Sequence, residues 1–190
     1  MSLVIHPLTE AALNAIDMIP IQSAAFEDVH NFISMKAGVE HYRLLTHIAL
    51  HNNNIKIIDL GTYKGWSALA LAANPSNRVI SYDIVDLFEK SDLQQKPNIT
   101  YKIKNFLDDL DELDGVSLIM LDIDPHDGVQ ERQIIETLLA RHFRGVVIMD
   151  DINNAQFFPE LVTYFQSIPL RKENITHLGH HSGTGIIYFD

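Results

Sequence analysis

The sequence predicts an α/β domain: a mainly parallel, doubly wound sheet with helices on both faces, preceded by helices and closed by an antiparallel C-terminal hairpin. Three observations carry this. From residue 55 onward, short β-branched runs alternate with helical segments of about 10–15 residues, the pattern of successive βαβ units. The runs at 55–60, 116–122 and 145–150 are almost wholly apolar, as strands covered on both faces must be. The last two runs, 175–178 and 184–189, are separated only by the short Gly179-His180-His181-Ser182-Gly183 connection. That is too little chain for a helical crossover, so they have to pair antiparallel.

The 190 residues suit one domain with a well-buried core, read here as a helical cap over 1–54 and a sheet-forming core over 55–190. Fourteen basic against 25 acidic residues give a net charge of −11. Such a surface repels phosphate backbones, which argues against nucleic acid as a partner but not against a cationic ligand. There is no cysteine, which excludes disulfides and thiolate zinc sites and fits a reducing compartment. No run of about 18 apolar residues occurs, and the first residues lack the basic start and apolar segment of a signal peptide. A soluble, cytoplasmic protein without membrane attachment is expected.

In chain order, Leu8, Ala11, Ala12, Ala15 and Ile16 form one helical stripe, with a break expected at Pro20. Further amphipathic pieces are predicted over 23–33 and 39–50, separated by a loop, Ser34-Met35-Lys36-Ala37-Gly38. Asn52-Asn53-Asn54 stops the third helix, because asparagine tolerates left-handed backbone and bonds to its own chain. Strand one is 55–60, and its following helix ends near Asn74-Pro75. Strands two and three are 78–83 and 99–103, joined by a polar, partly helical connection at 86–96. Strand four is 116–122. A long helix follows over 129–142, then strand five over 145–150, and a helix beginning near Pro159, whose ring suits a first turn.

The junction after strand one is the most informative stretch. It reads Asp59-x-Gly61-x-x-x-Gly65 and runs into Trp66-Ser67-Ala68-Leu69-Ala70-Leu71. In an α/β protein such a turn places backbone N–H groups at the carboxyl edge of the sheet, where ligands bind. A dinucleotide loop needs glycine at the position held by Tyr63, and a phosphate-binding P-loop needs Gly-Lys-Ser/Thr where Gly65-Trp66-Ser67 stands. The remaining pattern is similar to the S-adenosylmethionine loop of class I methyltransferases, whose Rossmann-like sheet also ends in a reversed hairpin like the one containing Gly183-Thr184-Gly185-Ile186-Ile187-Tyr188. In that family an acid at the end of strand two receives the ribose hydroxyls, and Asp83 stands there; Lys104-Asn105-Phe106 stands where the family contacts adenine. The resemblance therefore implies a cofactor site made of Asp59, Gly61, Thr62, Tyr63, Gly65, Ser67, Asp83, Asn105 and Asp122.

A second constellation is acidic: Asp122-Ile123-Asp124-Pro125-His126-Asp127 leaves strand four and Asp150-Asp151-Ile152-Asn153 leaves strand five. On neighbouring strands these ends would lie roughly 5–10 Å apart, and carboxylates that close repel unless protonated or bridged by a cation. Here the sequence resembles the cation-dependent small-molecule O-methyltransferases. That resemblance implies Asp122, Asp150 and Asp151 as ligands of Mg²⁺ or a similar ion, with Asp124 as an alternate and Met35–Glu40 as part of a lid. It also implies a small-molecule acceptor. Where that group often carries a lysine base, this chain has Pro125-His126, so His126 is the candidate base, acting with Asp122. Association of two copies through the N-terminal helices is a further expectation. Asp122-x-Asp124 would also suit a metal-dependent nucleotide-sugar transferase, although that reading leaves Gly61 and Gly65 without a role; a methyltransferase-like binding protein is the non-catalytic alternative. His177, His180 and His181 match no metal spacing and predict a solvated turn, while Trp66 and Phe157-Phe158 read equally as core packing or as walls of an acceptor pocket.

Overall fold

A computed structural model describes residues 3–5, 7–23, 30–86 and 96–190 of the chain. The expected parallel strands form as β1 (Lys56–Leu60), β2 (Arg78–Asp83), β3 (Ile99–Ile103), β4 (Val116–Leu121) and β5 (Gly145–Asp150), followed by β6 (Lys172–Asn174) and β7 (Thr184–Phe189). They make one sheet in the order β3-β2-β1-β4-β5-β7-β6. The first five are parallel, and β7 runs antiparallel between β5 and β6. The chain winds outward from β1 through β2 to β3, then returns to place β4 on the other side of β1. The carboxyl ends of β1 and β4 therefore flank the point where strand order reverses, the place at which open α/β sheets bind ligands.

Alternation along the strands sorts the core into two layers. Ile57, Val79, Leu118, Met120 and Ile148 face one side, where they meet Leu44, Leu45 and Ile48 of α4 (Tyr42–His51) and Ala68 and Leu71 of α5 (Trp66–Leu71). Ile58, Ile80, Ile119, Leu121 and Val147 face the other, against Ile135 and Leu138 of α6 (Val129–Ala140) and Leu161 and Phe165 of α7 (Pro159–Ser167). No helix among the described residues is long and apolar enough to cross a membrane.

The N-terminal segment holds α1 (Glu10–Asn14), α2 (Ile19–Gln22) and α3 (His30–Ile33). It is tied down by polar side chains. The Arg43 guanidinium donates to the carbonyls of Leu13, Asn14, Ile16, Ser34 and Met35, using its fork of donors to satisfy helix ends that would otherwise be bare. Asn52 bonds both the N–H and the carbonyl of Val4.

Several predicted boundaries change. Pro20 does not break a helix but sits in the first turn of α2, where its missing N–H costs nothing. Of the predicted helix over 23–33, the end forms α3, and 24–29 lie outside the described residues, as do 87–95 of the predicted connection. The helix over 39–50 begins later, at Tyr42, and α5 stops at Leu71, before Asn74-Pro75. The penultimate strand is 172–174 rather than 175–178, which is a turn. Ile175 and Leu178 are buried because that turn packs onto the first core layer. Lys172-Glu173-Asn174 reads as polar because it lies on the sheet edge, where charged residues are at home.

Candidate functional site at the carboxyl edge of the sheet

The β1–α5 loop is built by close backbone approach. The N–H groups of Gly61 and Thr62 both donate to the Tyr82 carbonyl, at 2.9 and 3.1 Å. Gly61 has φ +96°, and a Cβ there would lie 1.6 Å from the Asp122 carbonyl oxygen. Only glycine fits between β1 and the exit of β4. Gly65, at φ 73°, starts α5, and Tyr63, at φ 40°, donates its N–H to Asp83 Oδ2 at 3.0 Å.

Three residues of the expected cofactor site, Asp59, Thr62 and Ser67, lie buried underneath this loop. Asp59 is fully buried, and its Oδ2 accepts from Ser81 Oγ at 2.7 Å and Ser67 Oγ at 3.0 Å. Ser81 also bonds Thr62 Oγ1 at 2.7 Å. This knot of Asp59, Ser67, Thr62 and Ser81 anchors the loop from below. Asp59 Oδ1 has no partner, and burial, only partly offset by the two serine hydroxyls, raises the carboxyl to about 6 from 3.8.

That shift has a measurable sign. An acid with a raised pKa in the folded state holds its proton more tightly there than when unfolded, so stability falls as pH climbs from about 4 to about 6 and the cost is complete above that. With a shift from 3.8 to about 6, the cost approaches ~3 kcal/mol. Asp59→Asn, which keeps one acceptor oxygen, is expected to flatten this decline in urea titrations at pH 4 and pH 7. Equal pH slopes for the two proteins would show that Asp59 carries no such cost.

Beside the loop is a cavity of about 350 Å³, within the range of small-molecule sites. Gly61, Tyr63 and Asp83 form one wall, Asn105 and Phe106 another, and Asp122 and His126 a third. Asp83 accepts Tyr63 N–H on one oxygen and Val85 N–H on the other, both at 3.0 Å. Each oxygen retains a lone pair. Asn105 Oδ1 accepts from Leu107 N–H at 3.0 Å, which leaves its NH₂ to donate. Trp66 joins an aromatic group with Phe32, Tyr42 and Tyr63, whereas Phe158 packs 4.9 Å from the His126 ring.

At the far end of this cavity, β4 and β5 deliver their acids into a nest of histidines. His126 Nδ1 lies 3.4 Å from Asp151 Oδ2, and its Nε2 lies 3.4 Å from Asp124 Oδ1 and 4.0 Å from Asp122 Oδ1. Asp124 itself points to solvent, its side chain 96% exposed. Asp150, buried, accepts from Thr184 Oγ1 at 3.2 Å on one oxygen; its other oxygen lies 3.0 Å from His180 Nδ1 and 3.4 Å from His41 Nδ1. His180 Nε2 in turn lies 3.6 Å from Glu40 Oε1.

The charges are coupled accordingly. Burial, and then the charge of Asp150, pushes Asp122 up to about 8. Burial also opposes ionisation of Asp150, but His41 and His180 outweigh it and hold that carboxyl below its usual range. Burial disfavours charge on His41, yet Asp150 overcomes this and raises the ring to about 9. Four overlapping groups bring possible ligand atoms within 4.8 Å of one another: Glu40/His41/His180, His41/Asp122/Asp150, Asp122/His126/Asp151 and Asp150/Asp151/His180. Each contains at least one imidazole. Asp122, Asp150 and Asp151 are thus drawn together, but with histidines interleaved between them.

His180 does not belong to a solvated turn. Glu40, His41 and His180 escape a reading by motif because they come from segments about 140 residues apart. The signal that could have exposed them is the adjacency of β5 and the terminal hairpin, which sets the connection after β6 beside the Asp150 end. The lid stretch meets that connection too: His181 N–H donates to the Val39 carbonyl at 3.3 Å.

The sheet order and the reversed final strands define the fold of class I S-adenosylmethionine-dependent methyltransferases. Solved structures with this fold include an S-adenosylhomocysteine-bound methyltransferase, PaMTH1, from Podospora anserina, with TM-score 0.59, 16% identity and 78% of each chain covered. Cofactor-bound Rv0187 from MTB has TM-score 0.58 and 16% identity over 95% of this chain and 90% of that one. A putative caffeoyl-CoA O-methyltransferase from Staphylococcus aureus has TM-score 0.58 and 16% identity over 77% of this chain and 82% of that one. No family model matches the chain, and no curated protein matches it.

Proposed function

We propose that this chain transfers a methyl group from S-adenosylmethionine to a hydroxyl of a small molecule, with a divalent cation at the acidic end of the cavity. One observation supports this above the others: a single cavity at the strand-order reversal joins Asp83 and Asn105 at one end to Asp122 and His126 at the other. The first pair suits a nucleoside, the second a reacting hydroxyl. The two comparison proteins described as cofactor-bound or S-adenosylhomocysteine-bound support the donor, and the one described as a putative caffeoyl-CoA O-methyltransferase supports an oxygen acceptor.

The residues fit the donor by their chemistry. A carboxylate with a free lone pair on each oxygen matches the paired hydroxyls of a ribose, Phe106 offers an apolar face to a base, and the Asn105 NH₂ offers a donor to its edge. Acids at the opposite end complement a sulfonium charge. Because the sulfonium methyl is already activated, the task left to the protein is positioning the acceptor oxygen in line and excluding water. His126, on the cavity wall, is placed to take the hydroxyl proton.

The donor set also fits a cation, since Asp122 and Asp151 lie close enough to repel each other when both are ionised and His126 completes the group facing the cavity. When bound, such an ion would lower the pKa of the hydroxyl and orient it. Asp150 is engaged by Thr184, His180 and His41, and on this reading it supports the group from behind. Dimerisation through the N-terminal helices stays part of the proposal, to be checked by sedimentation.

Calorimetry with S-adenosylhomocysteine tests the donor claim, and absence of binding at millimolar ligand would sink it. Asp83→Ala is expected to weaken that binding about 10- to 100-fold, the worth of hydrogen bonds to a charged group. Unchanged affinity would take Asp83 out of the site.

A further inference from the structure

Glu40, His41 and His180 do not line the cavity, although His41 and His180 border the acids at its end, and the methyl transfer proposed above assigns them no step. We infer that Glu40, His41 and His180 form a second binding site, adjoining the first, for a divalent transition-metal ion held through two imidazoles and one carboxylate.

Three observations carry this. His41 is 3% exposed; its Nδ1 lies 3.4 Å from Asp150 Oδ2, and its Nε2 has no hydrogen-bond partner. A buried ring nitrogen with no partner is costly unless something occupies it. His41 belongs to a group in which possible ligand atoms of Glu40, His41 and His180 all lie within 4.8 Å of one another. His180 Nε2 and Glu40 Oε1 are 3.6 Å apart, the spacing of two ligands sharing an ion at roughly 2.1 Å from each.

His180 is, moreover, held as metal-binding histidines are held. Its Nδ1 faces Asp150 Oδ2 at 3.0 Å and Ser182 Oγ at 2.6 Å, and its backbone N–H donates to Thr184 Oγ1 at 2.7 Å. Those contacts fix the ring and turn Nε2 toward Glu40. A carboxylate behind a histidine, fixing its tautomer, is the usual outer support of a metal ligand. Asp150 therefore acts here as a positioning residue.

The ligand chemistry selects the ion. Imidazole suits zinc, cobalt, nickel, copper and iron, whereas Mg²⁺ prefers an all-oxygen shell with several waters. Two nitrogens and one carboxylate thus favour a transition metal over Mg²⁺, opposite to the preference expected at Asp122 and Asp151.

Co²⁺ is the probe, added to chelator-stripped full-length protein without methyl donor or acceptor, so the outcome is independent of the methyltransferase reading. Expected is tight Co²⁺ binding by equilibrium dialysis, with visible ligand-field absorption that excess Mg²⁺ does not abolish. His41→Gln and His180→Gln are expected to weaken it by more than about tenfold, and Asp150→Asn by about 10- to 100-fold. His126→Gln and the distant His142→Gln should leave it in place. Absence of tight binding, loss only in His126→Gln, or wild-type affinity in both His41→Gln and His180→Gln would overturn the inference. Should the variants fail to fold by circular dichroism, Cu²⁺ bound to the wild-type protein decides the matter by electron paramagnetic resonance: two coupled imidazole nitrogens support the site, and fewer refute it.

Discussion

Gly61→Ala is expected to destabilise the protein by more than ~4 kcal/mol, placing it among the rare severe substitutions, and to abolish cofactor binding in whatever fraction folds. The new Cβ would stand 1.6 Å from the Asp122 carbonyl oxygen and 2.8 Å from its carbon. Both are backbone atoms, and no rotamer can relieve the overlap. β1 and β4 are hydrogen-bonded neighbours at this point, Asp122 N–H donating to the Leu60 carbonyl at 3.0 Å. Relief would have to separate the two strands and carry Asp122 with them. Gly115→Ala is the control: its φ is also positive, +74°, but nothing lies within 4 Å of the added carbon. It should lose only the ~1–2 kcal/mol of a left-handed backbone bearing a side chain. Urea unfolding of the two variants compares the effects directly, and similar losses would show that strand contact is not what demands glycine at 61.

Asp122→Asn should lower methyl transfer at least ~100-fold once an acceptor is found with labelled donor, while raising the stability of the protein by at least ~1 kcal/mol at pH 8 in the absence of metal. The two effects have one cause. Although its side chain is 30% exposed, desolvation and the charge of Asp150 raise the Asp122 pKa to about 8, so the folded state resists ionising it. Stability is then lost as pH rises from the ordinary carboxyl range toward 8, and a neutral amide removes that loss. The same ionised group is the one proposed to meet the acceptor oxygen and the cation. Thermal melts at pH 5 and pH 8, with a chelator present, separate the terms: the variant's advantage should grow with pH. An advantage independent of pH would mean that Asp122 is not held under electrostatic strain.

Much of this was legible from residue order. Periodicity gave the five parallel strands, since Ile57-Ile58, Ile119-Met120 and Val147-Ile148 can be so apolar only when both faces are covered. The glycine spacing located the loop, and Asp83 and Asn105 do reach the cavity beside it. The edge strand 172–174 escaped notice because its polarity resembles that of a loop. That Asp59, Thr62 and Ser67 lie beneath the loop is hidden for a different reason: a polar residue next to a binding loop looks the same in sequence whether it faces the ligand or bolts the loop from beneath. Local spacing makes His180 look solvated because it says nothing about a partner more than a hundred residues away. What sequence patterns cannot show here is burial of polar groups, which depends on which chain ends the sheet brings together.

The bond from His181 to the carbonyl of Val39 joins residues 142 positions apart, and this bears on how the protein folds. The wall holding Asp83 and Asn105 is made from strands close in sequence, whereas the histidine group requires the segment before α4 to meet the final hairpin. Loop-closing entropy has to be overcome before such distant contacts return any stability. The cavity wall of Asp83 and Asn105 can therefore form early in folding, and the Glu40/His41/His180 corner assembles only when the last strand has found its place.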